Sequence, residues 1–436
     1  MTPAQLKKLD RELDEYIDWL TEGMGRSERR EALGLYLTGL LLDGERKSIE
    51  PLASRLVDDE SEIEAMRQRL QQCVSVSKWA EREIFRRIAV RVDSEMPDVE
   101  ALVIDDTGFP KKGDHSVGVT RQYSGTLGRI DNCQVATSLH LAGERGSACI
   151  GLRLYLPEEW ANDARRRRKA AVPKEVCFQT KCELALALVD EALDAGVRPH
   201  IMLADSAYGD SHEFRDGIRE RGLEYAVGVH HPTTVWPPGT EFEIPVKTTR
   251  KGPAHRVPRA INATPVPIGE LAKELSYRTV TWREGTRGKQ SSRFAVARVR
   301  TAHRSQWRAP GPEEWLLCEW PSGESGPTKH FLISLPADTA IRELVRVAKL
   351  RWRVERDYQD LKNEVGLDHF EGRSWPGFHH HAALCAAAHA FLALRRALFP
   401  PELDSLDPAD GATALAAAPA SAFGGLSVVS ASVRAE

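Results

Sequence analysis

Apolar residues recur at helical spacing through the first part of the chain, at Leu33, Leu35, Leu37, Leu40 and Leu41 and again at Leu52, Leu56, Met66, Leu70 and Phe85. This pattern predicts an all-α N-terminal domain over residues 1–95. From Leu102 the pattern changes to short apolar runs rich in Val, Ile and Leu, which read as buried strands. Residues 102–106, 133–141 and 149–156 are expected to be three neighbouring strands, with Gly125, Gly128, Gly143 and Gly146 at turns. A helix is expected over 181–195, opened by Thr180 as N-cap and closed before Gly196, and a second over 212–221, closed by Gly222. Strands at 202–204 and 224–229 accompany them, so the class is α/β.

Beyond His230 the alternation breaks into a long stretch punctuated by Pro and Gly. Strand-like runs at 278–282, 294–299, 315–320 and 330–335 mark residues 230–336 as a β-rich insertion. Residues 337–399 then complete the α/β core, which begins at 96–229. The remaining residues, 400–436, are rich in Ala, Ser, Pro and Gly and are expected to be a disordered tail.

Candidate chemistry gathers at three places. The run 351–362, RWRVERDYQDLK, reads as one helix. At about 100° per residue, Glu355 lies about 40° round from Arg351 and Lys362 about 20°, so one carboxylate sits between two cations on one stripe. A solvated helix face with local ion pairs is the plain alternative. Two aliphatic runs upstream each end in Asp: 101–104 before Asp105 and Asp106, and 201–204 before Asp205. Ligand sites in α/β sheets collect at the carboxyl ends of strands. Two such aspartates and a helix glutamate make an all-oxygen donor set, which suits Mg²⁺ or Mn²⁺ rather than zinc. Two ions roughly 4 Å apart can serve the attacking and leaving oxygens of a phosphodiester.

These residues carry a resemblance. Arg351, Glu355 and Lys362 stand in the spacing of the Arg-Glu-Lys part of the Tyr-Arg-Glu-Lys signature of DDE transposases encoded by bacterial insertion sequences. Asp205-Ser206-Ala207-Tyr208 resembles the second-Asp motif of that group, and Asp105-Asp106-Thr107 its first. The position of the signature Tyr holds Ala348 instead, although Tyr358 lies on the same helix. The resemblance implies an RNase H-like catalytic core, two Mg²⁺ (or Mn²⁺) ions held by Asp106, Asp205 and Glu355, and a Mg²⁺-dependent enzyme. Such an enzyme cleaves double-stranded DNA at transposon ends and joins the 3′-hydroxyls to target DNA, acting as a homodimer in the DNA complex. Neighbouring strand residues point to opposite faces, so only one of Asp105 and Asp106 is expected to face the metals. An RNase H-like nuclease without strand transfer, and a domesticated DNA-binding regulator, are the rival readings.

Net charge over 436 residues is −3, which looks wrong for a DNA-binding protein, but the charge is segregated. Residues 245–308 hold 15 Lys and Arg against three Glu, whereas 400–436 hold one Arg against five acids. The basic segment is the expected footprint on phosphates. Arg351, Arg353 and Lys362 on the candidate helix, and Arg165, Arg166, Arg167 and Arg168 on an expected loop, are further DNA-binding candidates. So are Trp315 and Phe331, with Trp320, which suit stacking on a base turned out of the duplex. Arg26, Arg29, Arg30, Arg46 and Lys47 offer the N-terminal helices a similar role. His379, His380 and His381 lack a completing Cys or carboxylate and are expected to open a helix near the DNA-facing side. Seven scattered cysteines without a CxxC pair, no run of about 20 apolar residues and no secretory pattern lead us to expect a reduced, cytoplasmic, nucleoid-associated protein with no membrane partner.

Overall fold

The 101–104 run forms the centre of a long strand, β1 (Val99–Pro110), whose residues Ala101, Leu102, Val103 and Ile104 are wholly buried because both faces of the strand are covered. The structure, a computed structural model, describes residues 3–245, 257–285, 288–303 and 309–399. The described residues of 1–198 and 352–436 make one compact unit, and those of 199–351 another. The expected tail lies outside the described residues, as do several cations of the 245–308 segment.

The first unit opens with helices α1 (Pro3–Thr21), α2 (Ser27–Leu41), α3 (Ile49–Arg55), α4 (Ile63–Gln71) and α5 (Glu81–Glu95). Its strands follow: β1, β2 (Thr120–Ser124), β3 (Arg129–Gly143) and β4 (Ser147–Leu154). The long β3 is central. It pairs antiparallel with β1 on one side; on the other it pairs with β2 through its first residues and with β4 through its last. Helices α6 (Glu158–Ala161), α7 (Ala164–Lys169) and α8 (Lys181–Asp194) come next. Thr180 caps α8 with Glu183 in a reciprocal capping box, which fixes where the helix begins.

The second unit holds β5 (Ile201–Ala204), α9 (Ser206–Gly209), α10 (His212–Glu220), β6 (Tyr225–Val229), β7 (Thr234–Trp236), β8 (Phe242–Glu243), β9 (Arg259–Ala260), β10 (Val266–Pro267), α11 (Ile268–Glu274), β11 (Arg278–Gly285), β12 (Gly288–Thr301), β13 (Glu313–Trp320), β14 (Lys329–Ile333) and α12 (Ile341–Leu350). Strands β5 and β6 are parallel, and β14, β13 and β12 continue the sheet from β6 in antiparallel order. The expected insertion is thus an extension of the sheet that carries β5. Along β12, Ala297, Val299 and Thr301 turn inward while Val296, Arg298 and Arg300 lie on the other face, the alternation of a half-covered strand.

The chain returns to the first unit with α13 (Trp352–Gln359) and α14 (Trp375–Leu398). Run 351–362 is not one helix, as the residue spacing suggested. The α12 helix stops at Leu350 with Arg351 as its C-cap, α13 opens at Trp352, and Asp360–Glu364 form a π-helical turn. Asp360 is gripped there by Arg356 at 3.1 Å and Arg396 at 2.6 Å. The wider turn re-aims Lys362 relative to an unbroken helix.

Helix α14 is buried along nearly its whole length, and α2, α5 and β4 pack on it. Its alanines let neighbours come close: the Tyr16 hydroxyl donates to the Ala387 carbonyl at 3.0 Å. The three consecutive histidines, expected at a surface, are buried. His379 donates to Trp375 O and accepts from Leu154 N, His380 stacks on Trp79 at 3.9 Å, and His381 bridges Tyr36 and Gly366 O. Burial lowers His379 and His381 to about 4, so both are neutral near pH 7. All seven cysteines are free, five of them buried. Among the described residues no helix is long and apolar enough to cross a membrane.

Candidate active site

Strand alternation separates the two adjacent aspartates of β1. Asp106 lies opposite Thr137 of β3, and Asp105 opposite Ser138. The Thr137 hydroxyl donates to Asp106 at 3.1 Å, and the Lys181 ammonium, on the first residue of α8, reaches it at 2.7 Å. Asp105 accepts the Asp106 N–H at 2.8 Å. On its side of the strand, the hydroxyls of Ser138 and Tyr358 of α13 meet at 2.6 Å. Burial raises the Tyr358 hydroxyl well above its ordinary value, and the charge of Asp105, followed by that of Asp106, adds to the effect. The phenol is neutral and its hydroxyl is engaged by Ser138.

Beneath α13 runs a buried polar chain. Ser138 pairs with His140 Nε2 at 2.9 Å, His140 Nδ1 with Asp357 at 2.7 Å, and the Ser147 hydroxyl donates to Asp357 at 2.5 Å. Burial alone would raise the Asp357 carboxyl, but the bonds from His140 and Ser147 and the nearby His389 hold it below the usual range. Ser138, His140 and Asp357 have the connectivity of a nucleophilic triad. However, His140 is 0% exposed and Ser138 is also engaged by Tyr358, so no substrate reaches them. Their effect is to lock α13 onto β3 through residues two and three places after Glu355.

Glu355 stands exposed on α13, which packs against β1, β3 and β4. Lys362 donates to the Gly108 carbonyl at 3.0 Å and the Thr126 hydroxyl at 3.1 Å. This ties the π-turn to β1 two residues past Asp106. Burial lowers the Lys362 ammonium, and Asp368 partly offsets this. The guanidinium of Arg353 lies over the Trp352 ring at 4.5 Å.

In the second unit, Asp205 ends β5 and caps α9 by accepting the Ala207 N–H at 2.9 Å. Two glycines let α9 lie directly on the end of β6. A Cβ on Gly209 would strike the Gly228 carbonyl at 1.9 Å, and one on Gly228 would crowd Ser206 N at 3.1 Å. His230, just past β6, is thereby brought to Ser206 at 3.2 Å and to Asp210.

Of the other candidates, Arg165–Arg168 lie on α7 rather than on a loop, because Asp163 caps a helical turn there by accepting the N–H groups of Arg165 and Arg166. Arg166 packs over Trp160 at 3.8 Å and Arg167 donates to Pro173 O, whereas Arg165 and Arg168 are exposed. Trp315 is half-buried, donates to Pro336 O at 3.0 Å and is covered by Arg298; Trp320 is half-buried and donates to Glu324 O; Phe331 is half-buried within β14. Lys47 is buried, and Arg46 pairs with Glu371. Residue spacing gave no hint of Lys181 or His230.

Among the described residues no three His, Cys, Asp or Glu side chains stand together as a metal cage. The donor type nonetheless suits a hard cation: Asp106 offers carboxylate oxygens, one of which is paired with the Lys181 ammonium at 2.7 Å.

With this geometry established, comparison with known proteins places the chain in a family. A model described as DDE superfamily endonuclease matches residues 19–289, more than half of the chain, and the chain belongs to that family. The match includes Asp106 and Asp205 and ends before Glu355. The chain is also similar to a probable transposase for insertion sequence element IS701 from Microchaete diplosiphon, 28% identical over 221 residues. That likeness covers 50% of this chain and 53% of the relative, so the chain matches about half of the relative's length.

Proposed function

We propose that this DDE endonuclease is a DNA transposase that cleaves at the ends of an insertion sequence and joins the freed 3′-hydroxyls to target DNA. The supporting observation is that both candidate aspartates, Asp106 within β1 and Asp205 at the end of β5, fall inside the family match, with the relative described as a transposase. The order of a β-meander, a helix and a parallel β5–β6 pair supports an RNase H-like core.

Asp106, Asp205 and Glu355 would hold Mg²⁺ or Mn²⁺. Bound there, the ions supply charge neutralisation at the attacking and leaving oxygens of the phosphodiester. The chain's own residues do the positioning. The Ser138–His140–Asp357–Tyr358 chain fixes the helix that presents Glu355, and Lys181 keeps the Asp106 carboxylate oriented before DNA arrives. Lys362 uses two of its three N–H donors on Gly108 and Thr126 and offers the third to a phosphate oxygen, while Arg351, Arg353, Arg165 and Arg168 contact the backbone. Trp315 and Phe331 contribute contacts from the insertion, and two copies act together on paired ends.

Incubating the protein with end-bearing DNA, a target plasmid and Mg²⁺ tests this reading. Joined products are expected, and Asp205→Ala should abolish them while leaving DNA binding intact. Cleavage without joining would make the chain a nuclease, and joining by Asp205→Ala would overturn the site.

A further inference from the structure

Asp210 holds His230 at two points, and Thr233 at a third, beside the strand end that carries Asp205. The His230 N–H donates to one Asp210 oxygen at 2.9 Å, the Thr233 hydroxyl donates to the same oxygen at 3.1 Å, and the His230 ring Nδ1 donates to the other. The main-chain and Thr233 bonds alone would explain Asp210 as the staple of the turn after β6. They do not explain the ring. With Nδ1–H committed to the Asp210 carboxylate, Nε2 is the ring nitrogen left to exchange a proton. Nε2 is aimed at Ser206, the residue directly after Asp205, at 3.2 Å. The ring is also open to solvent, with 61% of the side chain exposed, unlike the sealed His140.

We propose that His230, oriented by Asp210 and parked on Ser206 in the free protein, is the proton-transfer residue for the 3′-oxygen of the element end. This rests on the transposase reading above and deepens it. In cleavage, a water oxygen forms a bond to phosphorus as the bond from phosphorus to the 3′-oxygen breaks. The leaving oxygen keeps the electron pair and takes the Nε2 proton, while the water's proton passes to solvent. In joining, the direction reverses at the same atom. Nε2 takes the proton of the 3′-hydroxyl as that oxygen forms its bond to the target phosphorus, and the displaced target oxygen is protonated by solvent. A single imidazole thus serves the one oxygen that takes part in both steps, first as acid and then as base.

The test compares the full-length protein with His230→Gln and His230→Ala on two end-bearing DNAs. One has the ordinary 3′-oxygen at the scissile bond, and the other has sulfur in its place. Mn²⁺ is the ion in both, because it tolerates sulfur better than Mg²⁺. A thiolate leaves without protonation. Both variants are therefore expected to cleave the oxygen substrate about 100-fold more slowly than the unaltered protein, the usual scale of acid catalysis, and the sulfur substrate within about threefold of it. Binding to uncleaved ends and the urea unfolding midpoint should stay unchanged. Equal losses on both substrates would make His230 a positioning residue, and no loss on either would remove it from the reaction; each result overturns the proposal. If the unaltered protein cleaves neither DNA, the transposase reading fails and takes this inference with it, an outcome distinct from active protein with indifferent variants.

Discussion

At the scale of single residues, Lys181 governs how Asp106 behaves. A carboxylate one-fifth exposed and paired with an ammonium one-third exposed is poised for a cation, but the ammonium competes with any other cation that arrives. Lys181→Met is therefore expected to tighten Mn²⁺ binding roughly tenfold, about 1.4 kcal/mol after allowing for partial solvent screening, as read by titration calorimetry. Unchanged or weaker binding would show that the lysine supports the metal instead of excluding it. The same scale separates the adjacent aspartates. Asp106→Asn should abolish cleavage, whereas Asp105→Asn should act through the Tyr358 side of the strand and leave measurable rate, and the reverse pattern would transfer the metal role to Asp105. Much of this detail was hidden in the sequence. Apolar runs followed by Asp are why Asp106 and Asp205 stood out; Asp205 does follow the end of β5, whereas β1 continues past Asp106 to Pro110, because its pairing with β3 extends beyond the apolar run. Nothing in the spacing relates Lys181 to Asp106 across 75 positions, or His230 to Asp210 across a strand.

At the scale of elements, local signals read true and interruptions did not. The capping box of Thr180 and Glu183 and the glycine after α10 act within a few residues, so α8 and α10 appeared close to their observed limits. The breaks around α13 depend on distant partners: the π-turn is fixed by Arg396 on α14 and by Lys362 reaching β1, neither of which a helical wheel can show. The stripe of Arg351, Glu355 and Lys362 is accordingly not the face of one straight helix. The lock under α13 gives this scale its prediction. His140→Ala strips a buried carboxylate of its main partner, which costs about 3–5 kcal/mol in urea unfolding. Cleavage should fall together with stability, while ends remain bound below the unfolding midpoint. A loss under about 1 kcal/mol would mean that Asp357 is not ionised in the folded state.

At the scale of the whole molecule, burial of the α14 histidines couples stability to acidity. The folded values of about 4 for His379 and His381 lie below the ordinary 6.5, so between these limits the unfolded chain binds more protons. Stability is then fully present above about pH 6.5 and declines as pH falls toward 4, by on the order of 3 kcal/mol per histidine. Urea midpoints measured at intervals from pH 7 to pH 4 check this, and a flat profile would contradict it. The basic stretch sets a second global property: end-binding should weaken steeply with salt, and Arg165→Ala with Arg168→Ala should each lower the logarithmic salt slope by about one if each contacts a phosphate. Long-range packing was the least legible feature at this scale. Helical periodicity in the first 95 residues described their helices but not what they pack on, and the histidine triplet looked like a surface feature because an alanine-rich helix shows no polar face by which to judge its burial.

The packing of α1, α2 and α5 on α14 has a consequence for synthesis. Roughly 280 residues separate the end of α5 from the start of α14. At about 5–20 residues per second, the nascent N-terminal helices wait some 14 to 56 seconds on the ribosome for the helix that completes their core. Chains cut short before Trp375 are left with that apolar surface bare and become prey for chaperones and proteases, so the cell accumulates the enzyme only from messages translated through α14.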